Sequence, residues 1–180
     1  MKRIKNIIWS IIMSNPTFLV YLLYGDFWTL RRICIKHPKN KIRNSLYYHY
    51  LEHYGSWIGL GAKIQSPPIF PHGMIGIFIS NSAIIGKGVV IYQHVCIGSN
   101  MLINSKKYGA PTIEDNVYIG TGAKIIGNVI IGHNSRIGAN CAVVKDTPPN
   151  SVTVIRGIET IIKNEILNNT FINNPEYANV

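Results

Sequence analysis

Six histidines, eight carboxylates and three cysteines are the side chains in this 180-residue sequence best suited to proton transfer, metal binding or nucleophilic attack. His37, His49 and His53 fall in the first third of the chain, while His72, His94 and His133 are spread along its middle. An imidazole titrates near physiological pH and so serves as a general base, taking the proton from a hydroxyl as its oxygen attacks. A zinc site would instead need several converging ligands, typically including a closely spaced pair. His72, His94 and His133 are too dispersed for that, and no metal is expected. Cys34, Cys96 and Cys141 are also far apart and form no CxxC pair. They read as core thiols in a reducing compartment. Taken alone, His72 is as readily a turn residue satisfied by backbone groups as a base, so its surroundings must decide.

Those surroundings are a repeat. A large aliphatic residue returns every six positions at Ile79, Ile85, Ile91 and Ile97, and again at Ile113, Ile119, Ile125, Ile131, Ile137 and Val143. Four residues after each anchor comes a compact side chain: Ala83, Val89, Val95, Val117, Ala123, Val129, Ser135, Cys141 or Thr147. A helix needs a period near 3.6 and an amphipathic strand a period of 2. A period of six fits one short strand and one turn stacked on copies of itself, a parallel β-helix. Gly88, Asn116, Gly122, Asn128, Asn134 and Asn140 supply turn positions suited to positive φ. The coils begin near Ile58, with Ile64 and Phe70 in step, and the period then slips twice. Three extra residues sit beside His72, and about ten, Ser99 to Ala110, leave the coil as a loop. Function concentrates where a repeat admits insertions.

Residues 1–57 read as a helical segment, 58–154 as the β-helix and 155–180 as a tail. Asp26 caps a helix with Phe27, Leu30 and Cys34 on one face, and Leu46, Tyr47, Tyr50, Leu51 and Tyr54 face inward from a second helix ending at Gly55. Such helices cover the open end of a β-helix. Residues 1–55 hold nine Lys or Arg against Asp26 and Glu52, most of the formal +10 of the whole chain. This bias suits a membrane surface or an anionic partner as well as a docking face. No nucleic-acid motif accompanies it. The basic-then-apolar start is split by Ser14, Asn15 and Pro16 and is too short to span a bilayer. Residues 158–167 read as a short helix and 168–180 as a fraying end.

The residues at the two slips carry a resemblance. Pro71-His72-Gly73-Met74-Ile75-Gly76-Ile77-Phe78-Ile79-Ser80, Tyr92-Gln93-His94-Val95-Cys96-Ile97-Gly98-Ser99, Ile119-Gly120-Thr121-Gly122-Ala123-Lys124 and Ile137-Gly138-Ala139-Asn140 through Pro149 resemble the serine O-acetyltransferase branch of the hexapeptide acyltransferases. The resemblance covers about 58–154. It implies a left-handed parallel β-helix, assembly as a homotrimer and acetyl-CoA as co-substrate. By motif position it places the catalytic base at His72. It places the co-substrate along Gly98, Ser99, Thr121, Ala139 and Lys145, with Gly120 and Gly138 as turn glycines.

Departures from the family pattern concern the acceptor. The acid that partners the family's histidine falls at Trp57, the aspartate before that histidine is Pro71, and Gly109-Ala110 stand where the family has Arg-His. These losses remove groups that hold serine's charged ends. The expected acceptor is therefore a sugar hydroxyl of a surface glycan, contacted by Tyr92, His94, Asn104, Ser105 and Tyr108, with free serine as the alternative. A non-catalytic scaffold is the reading from another class. His72 is expected to find a backbone carbonyl or another carboxylate, Glu52 being the nearest before it. The location expected is cytoplasmic, peripheral on the inner face of the membrane if residues 1–55 bind there.

Overall fold

The structure, a computed structural model, describes residues 15–157. The helix expected at 158–167, the fraying end and the first fourteen residues lie outside that range.

Three helices come first: α1 (Pro16–Tyr24), α2 (Phe27–Lys36) and α3 (Lys41–His53). Each start is set by a short polar side chain that satisfies a free amide of the first turn. Asn15 Oδ1 accepts from Phe18 N at 3.1 Å, Asp26 Oδ1 from Thr29 N at 2.9 Å and Asn40 Oδ1 from Arg43 N at 3.0 Å. Pro16 opens α1, where its missing N–H costs nothing. Phe27, Leu30, Cys34, Tyr47 and Leu51 are buried between the helices, with the Phe27 ring stacked on Tyr47 at 5.1 Å and on Tyr50 at 4.9 Å.

Thirteen short strands follow and form three parallel sheets. The first sheet stacks β1 (Trp57–Ile58), β3 (Phe78–Ile79), β6 (Cys96–Gly98), β9 (Lys124–Ile126) and β12 (Ala142–Val143). The second stacks β2 (Lys63–Ile64), β4 (Ile84–Ile85), β7 (Thr112–Ile113) and β10 (Ile130–Ile131). The third stacks β5 (Val90–Ile91), β8 (Tyr118–Ile119), β11 (Arg136–Ile137) and β13 (Val152–Thr153), with Ile69 bridged to Val90 one coil below. The chain visits first, second and third sheet in turn, so each circuit is one coil of a parallel β-helix, left-handed as the resemblance implies. The repeat explains this directly: its anchors Ile79, Ile85, Ile91, Ile97, Ile113, Ile119, Ile125, Ile131 and Ile137 are all buried in the coil interior. Ala83, Val89, Val95, Val117, Ala123 and Val129 fill the corners and are fully buried. Ser135, the one hydroxyl buried among them, donates to Pro148 O at 2.9 Å.

A plain coil takes eighteen residues, as from Ile79 to Ile97 and from Ile125 to Val143. The coil from Ile58 to Ile79 takes twenty-one and that from Ile97 to Ile125 twenty-eight, yet Ile58, Ile79, Ile97 and Ile125 still stack in register. Both insertions are therefore expelled sideways. Positive φ falls at Gly88, Asn116, Gly122, Asn134 and Asn140, as expected, but at Gly127 and not Asn128. Gly127 takes that place because a Cβ there would press on Lys107 O at the neck of the inserted loop.

The helices close the N-terminal end through polar contacts that the sequence alone did not suggest. Arg31, on α2, is buried, and its Nη2 donates to Ala62 O at 2.6 Å and to Leu60 O and Gly59 O at 3.3 and 3.4 Å. Tyr47 Oη donates to Ile58 O at 2.8 Å. The first coil thus meets donors where a further coil would otherwise stack.

Candidate active site

His72 lies on the corner that leads from the third sheet to the first. The three extra residues of its coil are 73–75, since Gly76 again stands one plain coil before His94. Gly73, at φ 72°, turns the chain directly after His72, and its amide donates to Phe70 O at 3.1 Å. Beneath the insertion, buried Ser56 holds it in place: its hydroxyl donates to Met74 O and accepts from Ile77 N at 2.9 Å.

The imidazole is exposed, and its Nδ1 lies 2.8 Å from Gln93 Oε1. An amide oxygen only accepts, so this bond sets the tautomer: Nδ1 carries the hydrogen and Nε2 keeps its lone pair. Gln93 is itself anchored, because its carbonyl accepts from Thr121 Oγ1 at 3.1 Å and from Gly122 N at 3.0 Å. The Tyr92 ring meets the His72 ring edge-on at 5.3 Å and approaches Tyr118 at 5.2 Å. The partner of His72 is thus neither a backbone carbonyl nor Glu52, which lies 3.9 Å from His49 on α3. Sequence reading passed over Gln93, although a signal was there. It stands twenty-one residues after His72, one full coil by the same count that separates Ile58 from Ile79.

His94 occupies the left-handed turn of this corner, at φ 61°, in a column with Gly76, Gly122 and Asn140. Its carbonyl accepts from Lys124 Nζ at 2.6 Å. It borders a concavity of about 620 Å³ on the outer face of the first sheet, whose walls include Tyr54, Ile75, Phe78, Cys96 and Lys124. Burial pushes the Cys96 thiol above its ordinary range, with Lys124 pulling the other way. His133 is remote, on the corner between second and third sheets, where Nδ1 lies 3.1 Å from Glu114 Oε2. Among the described residues no three His, Cys, Asp or Glu side chains converge as a metal site would require.

The other site candidates divide between two corners. Thr121 and Ala139 share the corner of His72, above Gln93. Gly98 ends β6, and Ser99 and Lys145 lie on the corner that follows, between first and second sheets, where the inserted loop also leaves the coil. Gly98 is tight for a structural reason, since a Cβ there would lie 2.9 Å from Ile126 Cδ1 of the next coil. Ser99 Oγ is hydrogen-bonded to Ser80 Oγ. The loop has a narrow neck, Asn100 and Gly109 exchanging backbone hydrogen bonds of 2.8 and 2.9 Å. Ser105 Oγ accepts from Asn100 Nδ2 at 2.8 Å and so closes the loop internally. Asn104 and Tyr108 are exposed along it, as are Met101, Leu102 and Ile103 at its tip. Asp146 grips the loop from the coil, accepting from Lys107 Nζ at 2.8 and 2.9 Å and from Ile130 N at 3.0 Å. Within one chain, then, Tyr92 and His94 adjoin His72, whereas Asn104, Ser105 and Tyr108 sit across the first sheet from it. The position of the family's acid is filled by Trp57, stacked on Tyr48 at 4.3 Å.

The fold is thus a stack of eighteen-residue coils, each of three six-residue repeats, with one ordered imidazole at an insertion, and residues 110–145 match the family described as bacterial transferase hexapeptide (six repeats). More particularly, the chain is similar to serine acetyltransferases. It is 42% identical over 94 residues to that of Mycobacterium tuberculosis, covering 52% of this chain and 40% of the relative. It is 38% identical over 103 residues to that of Helicobacter pylori, covering 57% and 58%. The solved structure of serine acetyltransferase isoform 3 from Entamoeba histolytica, in complex with cysteine, superposes with a TM-score of 0.64 at 28% identity, covering 86% of this chain and 53% of that one. The Neisseria gonorrhoeae serine acetyltransferase in complex with serine gives a TM-score of 0.62 at 26% identity, covering 79% and 60%. The chain spans roughly half the length of these relatives.

Proposed function

We propose that the protein is an acetyl-CoA-dependent O-acetyltransferase in which His72 is the general base. The observation that carries this is the 2.8 Å bond from His72 Nδ1 to Gln93 Oε1, which leaves Nε2 free to accept a proton at an exposed corner. In the reaction, Nε2 takes the proton of the acceptor hydroxyl while the oxygen attacks the thioester carbonyl. The tetrahedral intermediate collapses to the acetyl ester, and the imidazolium returns its proton to the leaving CoA sulfur. Acetyl-CoA supplies the activated acyl group. Gly98, Ser99, Thr121, Ala139 and Lys145 are the residues proposed to hold it.

The relatives favour serine as the acceptor over the surface-glycan hydroxyl expected from the sequence departures. One observation keeps the glycan as a second reading: the concavity beside His94 presents Tyr54, Ile75 and Phe78, a wall suited to the flat face of a sugar ring. CoA release from acetyl-CoA, measured across serine, nucleotide sugars and polymeric glycans, decides between them. Turnover with serine at or above that of any sugar supports the first reading; turnover confined to sugars supports the second; none with any hydroxyl acceptor removes the enzyme reading in favour of a scaffold.

The two corners point to assembly. A second copy facing the first sheet would bring its inserted loop to the His72 corner, closing a cleft that one flat flank does not make. A homotrimer does this three times over. A monomer by sedimentation that retains full turnover would overturn it.

A further inference from the structure

We propose that the N-terminal helical cap docks on an anionic phospholipid surface, an interaction independent of the acetyl-transfer reading. α1 has no charged residue, and it is apolar on both sides. One side, with Val20, packs inward; the other leaves Phe18, Tyr21, Leu22 and Leu23 exposed, Tyr21 by 72%. A helix that is hydrophobic all round needs cover on each side. At nine residues α1 is far too short to cross a bilayer, and among the described residues no helix is long and apolar enough to do so.

The charge around this cap says what the cover is. The α2–α3 connection forms a concavity of about 520 Å³ lined by Lys36, His37, Pro38, Lys39, Asn40 and Arg43, with no carboxylate in its wall among the described residues. Ile35 and Ile42 stand exposed on either side of it, Ile42 by 84%. The two acids of the segment are engaged elsewhere, Asp26 in capping α2 and Glu52 beside His49. Ahead of α1 the sequence adds Lys2, Arg3 and Lys5 among Ile4, Ile7, Ile8 and Trp9. Apolar side chains flanked by cations and free of acids are what a headgroup region rewards: the cations meet phosphates while the apolar groups enter the acyl boundary. A protein partner would reward the apolar face but would have to supply an acidic surface of its own beside it, whereas an anionic bilayer supplies both at once.

The test is co-sedimentation of the full chain with vesicles of phosphatidylcholine alone and of phosphatidylcholine with phosphatidylserine, at low and high salt. Binding to the anionic vesicles, weakening with salt, and little binding to neutral ones is expected. The double variant Lys36→Glu/Lys39→Glu should lose about fivefold per cation removed. Tyr21→Ser/Leu22→Ser should lose at least about tenfold. Ile42→Ser tests the same surface at a second exposed position, and circular dichroism confirms that each variant folds. Equal binding to both vesicle types, or none, overturns the proposal. So does a lowered sedimenting mass of Tyr21→Ser/Leu22→Ser without lipid, which would make this face a contact between copies of the chain.

Discussion

The two corners flanking the first sheet both carry insertions, but they are built differently. At the His72 corner three extra residues are locked: Ser56 holds Met74, Gly73 turns the chain, and Gln93 fixes the imidazole from one coil above. At the corner of the inserted loop ten residues are tied at a neck and by one exposed ion pair, and their tip points Met101, Leu102 and Ile103 outward. The first corner is suited to holding a reacting group within tenths of an ångström; the second is suited to reaching another molecule. Positioning and reaching are thus separated by the width of one sheet.

The sharpest way to break this contrast is His72→Ala. It is expected to lower kcat by about 10² to 10⁴, the usual worth of a general base, with CoA affinity little changed and partial rescue at high pH. If kcat stays within about twofold in an assay with the right acceptor, His72 is a turn residue and His94 becomes the candidate. Ile97→Ala strikes the sheet between the corners. Deleting a fully buried anchor should cost about 2–5 kcal/mol of unfolding free energy in denaturant titration, and both corners should loosen together. If only the loop loosens, the corners do not share a core.

Gln93→Leu removes one hydrogen bond worth about 0.5–1.5 kcal/mol, so kcat should drop by about two- to tenfold while the fold is kept. Gln93→Glu separates orientation from packing, because a carboxylate stabilises the imidazolium and should move the acidic limb of the pH–rate profile to higher pH. An unchanged profile would mean that Gln93 does not act through His72. The smallest effect belongs to the loop. Lys107→Ala should speed amide exchange at Asn100 and Gly109 without measurable loss of overall stability. The Lys107 ammonium, helped by the Ile130 amide, holds the Asp146 carboxyl below its ordinary value. Its tether is therefore complete above the unfolded carboxylate pKa and lost as pH falls through the depressed folded value. Protection at the neck, the observed exchange rate compared with the intrinsic rate at the same pH, should be constant across neutral pH and fall only in acid.

Much of this was legible because the coil is a counting device. Six residues make a strand and a turn, so Ile79 to Val143 announces the fold, and a break in the count marks His72 and the loop. What escaped the count lay across coils. Gln93 becomes visible only when His72 is projected upward by the length of its own enlarged coil. The surroundings of Trp57 depend on Tyr48, which belongs to α3 and not to the repeat. Nothing in the sequence sets Arg31 apart from the other cations of residues 1–55, since its acceptors are carbonyls of residues 59–62 and leave no trace in side-chain pattern. Asn128 was named for a turn that Gly127 makes, because the pressure on that residue comes from the loop and not from the repeat.

Arg31 carries one further consequence. A stack of coils touching only their neighbours is a one-dimensional chain in which separate segments are free to melt independently from the ends. A guanidinium withdrawn from water and answered, among the described residues, by carbonyls of the first coil forbids that at this end: pulling the coil away would strand a buried charge, and unfolding the helices would strip the coil of its donors. The cap and the first turns of the solenoid must therefore form and dissolve as one cooperative unit.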